Sequence, residues 1–237
     1  MGVCLISNQC RFAIVVLIAI AMGVSGCMAN LTNTGESQRD AIISHLREKY
    51  DDDTIVMLSP FGGGAGGGSD GVQILFASER FPGAEMWAIS YVEDGQTVFR
   101  DNYLNHKFLP QTTELFEMIA REAYGDDVVI EHRAGNMGFL RYFPADTPLS
   151  DFVSNPRAGL IVSITALYTP EDKDEAAVRL EAALIRHGVV GNGSVIFVGS
   201  SNDLQTLTDM DFSVLNNAPR MNFRMSDLSG FDYCEWR

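Results

Sequence analysis

The chain has 237 residues, of which 46% are hydrophobic, with 31 acidic against 17 basic side chains and a net charge of −14. That length supports one large domain or two small ones. The acidic balance excludes a nucleic-acid binder and a surface held to anionic lipid by a basic patch.

The chain opens on a leader. Residues 1–11 carry one charged side chain, Arg11, and Phe12 to Val24 is apolar apart from Gly23. As a helix that run rises about 20 Å, short of the roughly 30 Å hydrocarbon core. It has the length of a signal-peptide core, followed by small residues where a peptidase needs a narrow substrate. The closing residues Val24-Ser25-Gly26-Cys27 resemble the lipobox of bacterial lipoproteins. The resemblance implies that Cys27 receives a diacylglyceryl group and that cleavage falls between Gly26 and Cys27. An uncleaved anchor over Phe12–Leu31 is the alternative, since that stretch carries no charge and is long enough to span. Small residues and a cysteine at the point of cleavage favour the lipoprotein. Both alternatives put the remainder outside the cytoplasm, because the basic residue lies on the N-terminal side.

Processing would remove Cys4 and Cys10 and lipidate Cys27, which leaves Cys234 as the remaining thiol. No internal disulfide is then available, so the fold must rest on its core. Cys234 sits in FDYCEWR, where aromatic and polar residues alternate as in a final strand, and reads as a small buried side chain.

Residues 28–36 form a tether. From Ser37 the pattern is helical, with Ser37 and Asp40 resembling a capping box and Ile42, Ile43, Leu46 and Tyr50 on one face. Asp51-Asp52-Asp53 ends that helix, because acids are unfavourable at its negative end. Strands follow at Thr54–Leu58, Val72–Ala77, Glu85–Val92 and Thr97–Arg100, with a hairpin signal at Asp94-Gly95. A second helix is predicted over Thr112–Tyr124, capped by Gly125, and a strand over Val128–His132. The two helix ends match: Arg-Glu-x-Tyr-x-Asp-Asp occurs at 47–53 and again at 121–127. Pro144, Pro148 and Pro156 mark a candidate boundary across 143–158. Beyond it lie a buried strand at Leu160–Leu167, a helix from Thr169 to about His187, and strands at Val195–Val198, Phe212–Leu215, Met221–Met225 and Phe231–Trp236.

This order predicts an α+β fold. Mixed or mostly antiparallel sheets are packed by three main helices, with one β-α-β unit in the C-terminal half. The domain assignment is 1–26 signal peptide, 27–36 tether, then 37–142 and 158–237 as domains or subdomains.

Phe61–Gly71, FGGGAGGGSDG, satisfies a dinucleotide fingerprint and a nucleophile-elbow pattern. Both motifs need a following helix, and the residues after Gly71 read as strand. A strand connection is the expected role. The enzymatic alternative is a serine hydrolase with Ser69 as nucleophile and His132 or His187 as base. No His-Glu-x-x-His, Cys-x-x-Cys or calcium-loop pattern occurs, so neither a metal nor a cofactor is expected. The densest polar cluster is FRDNYLNHK, Phe99–Lys107. There Asp101, Asn102, Tyr103 and His106 are candidate ligand-binding residues on a loop after a strand. Asp101-Asn102-Tyr103 is also similar to segments of uncharacterised Gram-positive lipoproteins. A turn built by Asp101 and Asn102 over a packed Tyr103 is the structural alternative. The expected function is a lipid-anchored binding or scaffolding module of the bacterial cell envelope. Its partner would be another envelope protein or a small cationic ligand.

Overall fold

A computed structural model describes residues 35–61, 71–133, 143–168, 173–199 and 218–237. The lipobox with Cys27, the glycine run with Ser69 and the expected strand at Phe212–Leu215 lie outside the described residues.

Helix α1 (Gly35–Tyr50) places Ile42, Leu46 and Tyr50 on one buried stripe at intervals of four. It begins before Ser37, so Ser37 sits inside the first turn and is not the cap. The helix stops at Tyr50, ahead of the acidic run, and Asp51 turns the chain aside with φ 49°. Four antiparallel strands follow in meander order: β1 (Val56–Phe61), β2 (Val72–Ala77), β3 (Met86–Glu93) and β4 (Gln96–Asp101). β3 turns Met86, Ala88 and Ser90 inward at the two-residue period of a half-buried strand.

The β3–β4 hairpin closes on Asp94 and Gly95 at φ 53° and 75°, so both central residues adopt the left-handed conformation of a type I′ turn. A Cβ at Gly95 would meet nothing within 4 Å. Gly95→Ala therefore isolates the backbone cost, and we expect a loss of about 1 kcal/mol in urea denaturation. An unchanged midpoint would show that the turn relaxes to another type.

Helix α2 (Tyr103–Tyr124) starts well before the expected Thr112. Polar residues and Pro110 gave its first turns the look of a loop. Tertiary packing overrides that local signal, because Leu104 and Phe108 are buried and Pro110 is accommodated inside the helix. Its buried stripe continues through Phe116, Ile119, Ala120 and Ala123. α2 packs against β3 of the first sheet and against elements of the second.

The second sheet runs in the order β5 (Val128–Arg133), β6 (Ile161–Leu167), β7 (Gly191–Val198), β8 (Arg220–Met225) and β9 (Tyr233–Trp236). Short helix α3 (Leu149–Val153) and a 3-10 turn at Pro156–Ala158 lead into β6. β6 and β7 pair in parallel across α4 (Lys173–His187), and the other three pairings are antiparallel. This is an α+β fold with the expected β-α-β unit. α4 packs on α2 and buries Ala176, Leu180, Ala183 and Leu184.

The proline-rich stretch 143–158 does not separate two sheets, because β5 before it pairs with β6 after it. One cluster of buried side chains runs from Ile42 of α1 to Met225 of β8, and Gly35–Arg237 forms one unit. Cys234 is not the small buried side chain that its sequence context predicts. It lies on β9, at the sheet's edge, and its side chain is exposed.

Candidate functional site

Three segments far apart in sequence converge beside α1: the end of that helix, the turn after β2, and the junction of β4 with α2. Each contributes polar groups that its neighbours hold in place.

Asp101 ends β4 with its carboxylate 2% exposed. Lys49 Nζ donates to Oδ2 at 2.8 Å, Tyr50 OH donates to Oδ1 at 2.6 Å, and the Tyr103 amide donates to Oδ1 at 3.0 Å. Asn102 accepts from the Trp87 amide at 2.7 Å and so ties the start of α2 to β3. Asn105, one turn on, donates to the Ala158 carbonyl at 2.9 Å. The expected polar loop is thus a buried joint. Asp101, Asn102 and Tyr103 are brought together, but mostly facing inward.

Asp52 forms the second node, 1% exposed. Its carboxylate accepts from Ser78 Oγ at 2.5 Å, Thr54 Oγ1 at 2.6 Å, Tyr103 OH at 2.9 Å and the Thr54 amide at 3.1 Å. Burial by itself would raise its pKa. The hydrogen bonds from Ser78, Thr54 and Tyr103 outweigh burial and hold it below the ordinary carboxylate value. Tyr103 moves the other way. Burial first, then its bond to the Asp52 carboxylate, pushes the phenol up to about 12, so it stays protonated at neutral pH.

Arg80 closes the joint. It donates through Nη1 to the Tyr50 carbonyl at 3.2 Å and through Nη2 to the Asp51 carbonyl, and its Nε lies 3.6 Å from Asp52 Oδ2. The Tyr50 and Tyr103 rings stack at 3.9 Å, and Phe81 meets Tyr103 edge-on at 5.0 Å. These rings, with Arg80, Lys107 and Ala145, line a cavity of about 280 Å³, near the lower end of the range for small-molecule sites.

His106 is half-buried on α2, and burial lowers its pKa. His132 and His187 have separate local tasks. His132 Nδ1 sits 2.8 Å from the Ile161 carbonyl, and its ring packs 5.0 Å from Phe116. Burial lowers its pKa, against the smaller opposing pull of that carbonyl. His187, at the end of α4, lies 2.9 Å from Glu122 of α2, which Arg186 also contacts. Among the described residues no group of three or more His, Cys, Asp or Glu is placed to hold a metal ion. Nor is any helix among them long and apolar enough to cross a membrane.

The residues that sequence reasoning missed are Lys49, Asp52, Thr54, Ser78, Arg80, Phe81 and Lys107. Asp52 read as one of three helix-ending acids. A signal for Ser78, Arg80 and Phe81 was present in Ser78–Gly83, SERFPG, a polar turn directly after a strand, and Lys107 closes the polar cluster Phe99–Lys107.

No protein-family model matches the chain, and a search of curated proteins returns no match. Among solved structures, the chain is similar to a DUF5037 family protein from Ruminococcus gnavus ATCC 29149, at 12% identity and a TM-score of 0.38. The match covers 81% of this chain and 93% of that one.

Proposed function

We propose that this chain is a binding module of the bacterial cell envelope, anchored by lipid on Cys27 and facing away from the cytoplasm. The observation that carries the reading is Val24-Ser25-Gly26-Cys27 closing an apolar run of signal-peptide length. Two acyl chains give stable anchoring where one is marginal. The aromatic cavity between α1, the β2–β3 turn and α2 supports the binding part of the reading. The buried carboxylates beside it are saturated by internal donors, which suits a rigid frame better than a proton-transferring centre. The acidic surface is compatible with a basic envelope protein as partner.

Mass spectrometry of the native protein tests the anchor. The expected result is a chain that starts at Cys27 with the mass of a diacylglyceryl group, and loss of membrane association in Cys27→Ala. A Met1 start with an unmodified Cys27 would end the proposal. A fluorophosphonate probe adds a separate check: an adduct on Ser69 would replace binding by hydrolysis as the function.

A further inference from the structure

We infer that the cavity lined by Tyr50, Arg80, Phe81, Tyr103, Lys107 and Ala145 binds a small monocarboxylate with a planar or apolar body. The inference rests on the binding-module reading and names its ligand class.

The two charged side chains that line the cavity, Arg80 and Lys107, are both cations on an acidic chain. Around the cavity stand three cations, Lys49, Arg80 and Lys107, and two carboxylates, Asp52 and Asp101. Asp101 is neutralised by Lys49 at 2.8 Å, and Asp52 lies against Arg80 at 3.6 Å. Lys107 presents an exposed ammonium with a long 3.5 Å contact to the Ala145 carbonyl, 5.2 Å from the centre of the Phe108 ring. Neither carboxylate side chain is more than 2% exposed, so the cavity meets Arg80 and Lys107 directly and the acids only through their partners. Two lining cations over an aromatic wall, one of them already against Asp52, suit one carboxylate. A ligand of net positive charge would face two cations across a small volume.

Shape supports the same class. Arg80 is held by two backbone carbonyls and by Asp52, so its guanidinium plane is fixed before any ligand arrives. Each terminal nitrogen keeps one N–H beyond those bonds, so a carboxylate meets donors already held in place. Phe81 is half-buried and Tyr103 is stacked on Tyr50, which leaves a rigid apolar wall for the ligand's body.

The test is calorimetric titration of the full chain in detergent with benzoate, acetate, benzyl alcohol and benzamidine. Benzoate is expected to bind saturably, acetate more weakly for lack of a ring, and the neutral and cationic rings weakest. Lys107→Gln should weaken benzoate about tenfold, the ratio that loss of one charge-assisted contact carries, with the melting temperature unchanged. Phe81→Ala should weaken benzoate more than it weakens acetate. Equal binding of benzyl alcohol or benzamidine would overturn the carboxylate assignment and leave the binding module standing. Benzoate binding untouched by Lys107→Gln would place the site elsewhere and overturn the inference. If none of the four compounds binds, the cavity has no ligand of this kind and the inference falls, whatever mass spectrometry shows at Cys27.

Discussion

Asp52→Ala is expected to cost the fold about 4 kcal/mol, the magnitude of breaking a buried, fully hydrogen-bonded charge. The carboxylate joins the segment between α1 and β1, the turn after β2 and the first residue of α2 through Thr54, Ser78 and Tyr103. Its removal strands two buried hydroxyls and leaves Arg80 without its carboxylate. Each stranded donor costs about 1–3 kcal/mol. For a domain of this size the melting temperature should fall by roughly 10 °C. Asp52→Asn retains one acceptor and should lose less.

The same carboxylate predicts a pH effect. Its folded pKa lies below the ordinary value of 3.8, so its contribution is fully present above that pH and fades as pH falls through the folded value. Denaturation of wild type and Asp52→Asn should therefore show a gap at pH 7 that narrows below about pH 4. A gap that is constant with pH, or a wild-type melting temperature for Asp52→Ala, would show that the node does not hold the three segments together.

Gly193→Ala carries the second large effect. Gly193 lies inside β7, paired with Val162 of β6 on one side and Phe223 of β8 on the other. A Cβ there would lie 2.4 Å from the Val162 carbonyl oxygen and 2.8 Å from the Phe223 ring. The ring can turn, but the carbonyl belongs to a strand paired on both sides. A loss of about 3 kcal/mol or more is expected, at the upper end of overpacking effects. Gly191→Ala is the control: its nearest neighbour, the Leu160 carbonyl oxygen, lies at 3.0 Å, so the penalty should be smaller. Shortening the ring with Phe223→Leu should recover only part of the loss in Gly193→Ala. Thermal melts of the three variants check the order. Gly193→Ala melting with wild type would mean that β6 and β7 are less tightly joined than they stand here.

Much of the fold was legible because its signals are local. β2 occupies the expected Val72–Ala77, and α2 ends at Tyr124 before Gly125. Asp94-Gly95 specifies its hairpin through two left-handed residues, a property of the dipeptide itself. The repeated Tyr-x-Asp-Asp ends both precede strands, yet the tyrosines do different work. Tyr50 OH donates to Asp101, whereas Tyr124 OH donates to the Ala176 carbonyl at 3.0 Å. Nothing within either segment distinguishes them, because each partner lies about fifty residues away.

The site was legible only in part for the same reason. Asp101, Asn102 and Tyr103 stood out as a polar cluster, but such a cluster reads equally as an exposed binding loop or as an internal joint. Burial decides between the two, and burial here depends on Lys49 and Tyr50 of α1 and Asp52 just beyond it.

Periodicity, turn chemistry and composition determined the kinds of element, most of their order and the α+β class, since each depends on residues a few positions apart. The tertiary structure alone decided where α2 begins, that β5 joins the second sheet, and that Arg80 and Lys107 frame a cavity on an otherwise acidic chain. Those outcomes depend on which distant groups become neighbours. A charge or hydroxyl acquires its role only once its partner and its exposure to water are set.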